Sequence, residues 1–117
     1  MNQPLLGACG VLFLSVAYVS TAFAGPPLDI NSPAAVQQGQ DLFNQTCSNC
    51  HGENGDGGPV VFQGRSDLTA DKVFDTISNG RVRGATIMPA WKDSLSEADR
   101  WALTAFIVSQ AAIARPR

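Results

Sequence analysis

Cys47-Ser48-Asn49-Cys50-His51 is the stretch around which the chain is read. Two cysteines with two residues between them, and a histidine directly after the second, make C-x-x-C-H, the spacing for covalent haem c attachment. Each thiol can add to one porphyrin vinyl group, giving two thioethers. His51 then lies under the iron, where an imidazole nitrogen can bind it. A second axial ligand must come from far along the chain. Met88 is the one methionine besides Met1. A soft thioether suits haem iron, and a His/Met pair raises its reduction potential.

The other uses of C-x-x-C fit less well. A structural zinc site needs four protein ligands. The chain has three cysteines and one histidine. Cys9 lies in an apolar N-terminal run, which leaves Cys47, Cys50 and His51, one ligand short. A thioredoxin-like pair belongs at a helix start within a βαβ pattern, and no such alternation is present. A disulfide between Cys47 and Cys50 would close a very small loop and constrain the unfolded chain little.

The 117 residues suffice for one domain. The formal net charge is −2, and every charged side chain lies after residue 24. No basic patch points to nucleic acid. Residues 1–24 are expected to be a signal peptide: Leu5 to Val19 is an apolar run, and Ala22-Phe23-Ala24 supplies the A-x-A pattern for cleavage after Ala24. Met1-Asn2-Gln3-Pro4 carries no lysine or arginine. The alternative is therefore an uncleaved anchor, since Leu5 to Ala24 is long enough to reach across a bilayer. The expected location is periplasmic, or membrane-anchored facing the periplasm if the segment is retained. Residues 25–31, with Pro26 and Pro27, form a linker, and 32–117 form a monohaem domain.

Within that domain, Ser32-Pro33 starts a helix with a capping hydroxyl and a first-turn proline. Ala34 to Thr46 continues it, with Val36, Gly39, Leu42 and Phe43 on one face. Gly39 weakens a helix interior, and a close crossing with another helix would account for it. Gly52 to Pro59 is a glycine-rich loop. The Pro59 carbonyl is the expected acceptor for the free ring nitrogen of His51, a bond that would fix its tautomer and orientation. Val60-Val61-Phe62 is a short strand or a lining for the haem pocket. Thr69 caps a second helix with Val73, Phe74 and Ile77 buried, ended by Gly80 in the left-handed region. Arg81 to Ala85 is expected to be a loop. Arg65, Arg81 and Arg83 are weighed as solvated surface charge ahead of propionate contacts. Met88 lies in an extended segment before Pro89. Trp91 packs with its indole N–H available to a propionate. Ser96 and Asp99 form an acidic capping box for a last helix whose apolar face is Leu103, Phe106 and Ile107.

Together these residues resemble the class I cytochromes c in their short bacterial form, from about Ala34 to Val108. Cys47 to Gly52 resembles the haem motif, Glu53 to Pro59 the glycine-rich loop after it, and Met88-Pro89-Ala90-Trp91 the sixth-ligand segment. Gly39 and Phe43 match the N-terminal helix residues that cross the C-terminal helix at Leu103 and Phe106. The resemblance implies an all-α fold around one haem c, covalent through Cys47 and Cys50 and ligated by His51 and Met88. Pro59 and Trp91 would complete the cofactor-binding set. It implies a one-electron carrier that exchanges electrons with redox protein partners and is not itself an enzyme. Two alternatives stand beside it. One is an electron-transfer subunit of a periplasmic dehydrogenase or oxidase complex. The other is a haem enzyme or sensor, if Met88 does not ligate.

Overall fold

The computed structural model describes residues 28–115. The expected signal or anchor at 1–24, the first three linker residues and residues 116–117 lie outside the described residues. Four helices follow in order: α1 (Pro33–Thr46), α2 (Ser48–His51), α3 (Ala70–Asn79) and α4 (Glu97–Ala111). A 3-10 turn spans Glu53–Gly55, and a small hairpin joins β1 (Arg81–Arg83) to β2 (Thr86–Met88). Among the described residues no helix is long and apolar enough to cross a membrane. The fold is all-α, as expected, with the hairpin as its one addition.

Local signals set the helix starts. Ser32 Oγ accepts from the Ala35 N–H at 3.2 Å, with Pro33 in the first turn. Ser96 Oγ accepts from the Asp99 N–H at 3.0 Å. The Asp99 carboxylate accepts from that same hydroxyl at 2.7 Å, so the box closes on the side chain of Ser96. Thr69 holds the N-cap backbone geometry of α3, but its side chain makes no capping bond.

The crossing of α1 on α4 fixes the frame. A Cβ at Gly39 would overlap the Ala102 carbonyl and lie 2.8 Å from the Phe106 Cβ. Glycine is what lets the two backbones approach so closely, which outweighs its poor helix propensity. Phe43 and Phe106 meet beside this point with ring centroids 5.2 Å apart. α4 is buried on more than the one face expected of it: Trp101 through Ile107 are all buried. The reason is that α3 packs on its other side. Phe74 stacks on Trp101 at 4.0 Å and 14°, and Arg100 donates to the buried Ser78 hydroxyl. Thr104, fully enclosed, satisfies its hydroxyl by donating to the Arg100 carbonyl at 2.8 Å.

The hairpin replaces the loop expected at Arg81 to Ala85. Its strands pair antiparallel in the register Arg81 with Met88, Val82 with Ile87 and Arg83 with Thr86. Gly84, at φ 56, takes the first central place of the two-residue turn, where a II′-type turn favours glycine. Val60 to Phe62 is not a strand. It is coil that lines the interior, with Phe62 buried in the core.

Candidate functional site

Helix α1 delivers the motif. Cys47 is its C-cap and donates its N–H to the Phe43 carbonyl at 2.8 Å. The chain then turns directly into α2, with the Cys50 and His51 N–H groups donating to the Cys47 carbonyl at 3.2 and 3.0 Å. Residues three and four apart share a face of a helical turn. The local fold of the pentapeptide therefore gathers both thiols and the imidazole on one side. Both cysteines are free, Cys47 half-buried and Cys50 exposed. The Cys47 thiol is pushed up to about 11, first by burial and then by the neighbouring Cys50.

The glycine-rich loop closes back over this turn. Gly52 leaves α2 at φ 75, and the Gly57 N–H donates to the His51 carbonyl at 3.0 Å. Gly58, at φ 69, lies so close to the Cys50 carbonyl that a side chain there would overlap it. Gly55 is pressed against the Phe62 ring in the same way. That contact sets Phe62 against His51, with ring centroids 5.3 Å apart at 34°, while Phe43 flanks the imidazole at 6.1 Å. Burial lowers the His51 pKa, which favours the neutral, ligand-competent imidazole at neutral pH. The bond expected from His51 to the Pro59 carbonyl is not made. Nδ1 is buried without a hydrogen-bond partner, because the loop's polar contact with His51 goes to its backbone and the ring lies against two phenylalanines.

Met88 is positioned from the other side. It ends β2, half-buried and packed against the core. Gly80, at φ 72 and ψ −177, occupies a region essentially reserved for glycine rather than the left-handed helical one expected. A Cβ on it would lie 2.6 Å from the Met88 carbonyl oxygen. Past Met88, the Trp91 and Lys92 N–H groups donate to the Ile77 and Ser78 carbonyls at 2.9 and 3.2 Å. The methionine segment is thus fastened along the end of α3.

Cys47, Cys50, His51, Pro59, Met88 and Trp91 all line one cavity of about 250 Å³. Its wall is mostly aliphatic and aromatic, and includes Phe43, Val73, Ile77, Leu103 and Ile107. The cationic side chains on the wall are Arg65, Lys72, Arg81 and Arg83. Arg65 is part-exposed, in line with a surface charge, and its guanidinium donates to the Asp67 carboxylate at 2.6 and 2.7 Å. That hydrogen bond, with help from Lys72, holds Asp67 well below the usual carboxylate range. The donor set suits a haem: two thiols on one turn, one imidazole whose Nδ1 is enclosed so that Nε2 is the nitrogen left to ligate, and one thioether, around a mostly apolar cavity. The Phe62–His51 contact was not foreseen from the sequence. The run of Gly55 and Gly58 signalled a tight loop but not what it would press against.

The family described as cytochrome c oxidase, cbb3-type, subunit III matches residues 34–107. The chain belongs to this cytochrome c family. Such a domain binds haem c. The cytochrome is 36% identical over 99 residues to the cbb3-type cytochrome c oxidase subunit FixP of Azorhizobium caulinodans, covering 77% of this chain and 31% of that one. It is 32% identical over 80 residues to cytochrome c550 of Pseudomonas aeruginosa, covering 64% of this chain and 55% of that one. It spans between 28% and 34% of the lengths of the FixP and CcoP subunits that it matches. The cytochrome cL structure from Hyphomicrobium denitrificans shares its fold at a TM-score of 0.55 and 26% identity, covering 69% of this chain and 51% of that one.

Proposed function

We propose that this domain carries one electron at a time on a single haem c, bound through thioethers from Cys47 and Cys50 and ligated by His51 and Met88. The observation that carries the proposal is the convergence of two thiols, an imidazole and a thioether, from residues 47 to 88, on one apolar cavity. When bound, the haem supplies a metal that changes oxidation state by one electron. The protein's own residues do the rest. Helix α1 and the α2 turn hold the two attachment sulfurs. With Nδ1 enclosed, His51 presents Nε2 as its ligand atom. Phe43 and Phe62 restrict the rotation of its ring. Held along α3, Met88 would offer its thioether to the group as a second ligand beside His51. The aliphatic wall excludes water, which lowers the reorganisation that accompanies a change of charge.

Expression in cells that mature c-type haem tests this directly. The expected result is a c-type absorption spectrum that survives acidic extraction and a mass increased by one haem. A mass without haem would overturn the proposal. The same mass also reports whether the chain is cleaved after Ala24, as expected of an exported, periplasmic protein.

The cbb3-type relatives favour a second, more specific reading, in which the domain passes electrons within a terminal oxidase assembly. Co-purification with an oxidase from native membranes supports it. Recovery as a free carrier, with redox proteins as passing partners, supports the first.

A further inference from the structure

We propose that Arg81 and Arg83 form a two-guanidinium site that binds the carboxylates of the haem's own propionate groups. The proposal rests on the haem reading above and adds to it the residues that receive the charged edge of the group.

A haem is an apolar disc with two carboxylates on one edge. Bringing that edge against an apolar cavity is unfavourable unless each carboxylate stays in water or meets a cation and hydrogen-bond donors, and a cation beside it adds attraction in either case. Arginine suits the task, because its planar fork matches a carboxylate with two parallel N–H bonds. The wall of this cavity holds four cationic residues and, among the described residues, no acidic one. Arg65 and Lys72 are already engaged by Asp67. Arg81 and Arg83 make no ion pair among the described residues.

The hairpin register places both on the face of Met88. Residues two apart share a face of a strand, and directly paired residues share that face across the ladder. Arg81 pairs with Met88, and Arg83 pairs with Thr86. All four line the cavity. Val82 and its partner Ile87 belong to the opposite face and are 68% and 71% exposed; Val82 is not part of the cavity wall, although Ile87 also borders it. Two neighbouring guanidiniums with no acid between them repel each other. A pair of carboxylates turns that repulsion into attraction. The site therefore links the segment that carries the proposed sulfur ligand to the edge of the same haem.

The test uses the haem-loaded protein with Arg81→Gln and Arg83→Gln, singly and together. The readouts are the reduction potential as a function of pH and the redox-difference infrared bands of carboxyl groups. A cation beside a carboxylate lowers its pKa by about one to three units. The double variant should show the propionate-linked step moved up by about that many pH units, a protonated carboxyl band in the same range, and a lower potential. The other titratable groups at the wall do not mimic this step. Cys47 and Cys50 are thioethers in the loaded protein, His51 is a ligand, and Lys72 and Arg65 share a carboxylate held far below the range. Lys92→Gln, which removes the same charge away from the cavity wall, should leave the step in place, and Arg83→Lys should restore part of the shift. An unmoved step in the double variant, or an equal shift in Lys92→Gln, overturns the proposal. So does weaker binding of polyglutamate with the step unmoved, which gives the guanidiniums to a partner's carboxylates. These outcomes all require an intact c-type spectrum. Loss of the haem itself would instead defeat the underlying function.

Discussion

At Met88 the role of sulfur can be separated from the role of bulk. The side chain packs against the core from the end of β2. Leucine keeps nearly the same volume, and such exchanges usually cost less than about 1.5 kcal/mol. Met88→Leu should therefore lose little through packing, so that a fall in the urea midpoint reports the lost sulfur–iron bond, while the sulfur-to-iron charge-transfer band is abolished and the potential is lowered. Persistence of that band would show that another atom ligates the iron. A second residue-scale prediction concerns Asp67. Its folded pKa is depressed by Arg65 and then Lys72, so its contribution is present above the unfolded value of about 3.9 and is lost as pH falls through the folded one. Arg65→Gln should be slightly less stable than the parent at pH 6. The gap should close in acid, and also in about 1 M salt, where exposed pairs are screened. Equal thermal stability at every pH and ionic strength would show that the pair contributes nothing. Single residues also mark where the sequence was and was not legible. Cys47, Cys50 and His51 could be found because their chemistry needs one fixed local spacing. Phe62 could not, because its approach to His51 depends on a loop folding back through Gly55 and Gly58, and no periodicity encodes that.

At the scale of elements, Gly39 is the sharpest case. In an exposed helix, replacing glycine by alanine stabilises by about 1 kcal/mol. At this crossing the new Cβ would overlap the Ala102 carbonyl, and overpacking costs about 1–3 kcal/mol. Gly39→Ala should therefore lower the urea midpoint of the haem-loaded protein despite its better propensity; a raised midpoint would mean that α1 and α4 can separate freely. This role was legible because one glycine broke an otherwise regular apolar face. The hairpin was not. Three-residue strands are too short to display alternation, and Arg81 and Arg83 resemble a solvated loop until Met88 and Thr86 are placed opposite them. The burial of α4 was underestimated for a related reason. Its own sequence shows one apolar stripe, while the second buried side, at Trp101 and Thr104, is set by α3 and by hydrogen bonds internal to the helix.

At the scale of the molecule, core and site are the same surface. Phe43, Phe62, Val73, Ile77, Leu103 and Ile107 belong to the buried cluster and also line the cavity. Phe106, at the α1–α4 crossing, belongs to the cluster but not to the cavity wall. A domain this small buries a limited fraction of its chain surface and is marginal on its own. The haem is therefore expected to act as the central piece of the core, with α3 and the Met88 segment held to α1 and α4 largely through it. Cys47→Ala combined with Cys50→Ala removes both attachment points. The chain recovered without haem should lose cooperativity in urea and much of its helical circular dichroism. What helicity remains should come from α1 and α4, which meet directly at Gly39, and not from α3. Hydrogen exchange can separate these outcomes: protection should survive in part near Phe43 and Phe106 and vanish from Val73 to Met88. A haem-free chain that unfolds with the parent's midpoint and uniform protection would show that the polypeptide closes its own core, and would leave the cavity as a binding site only.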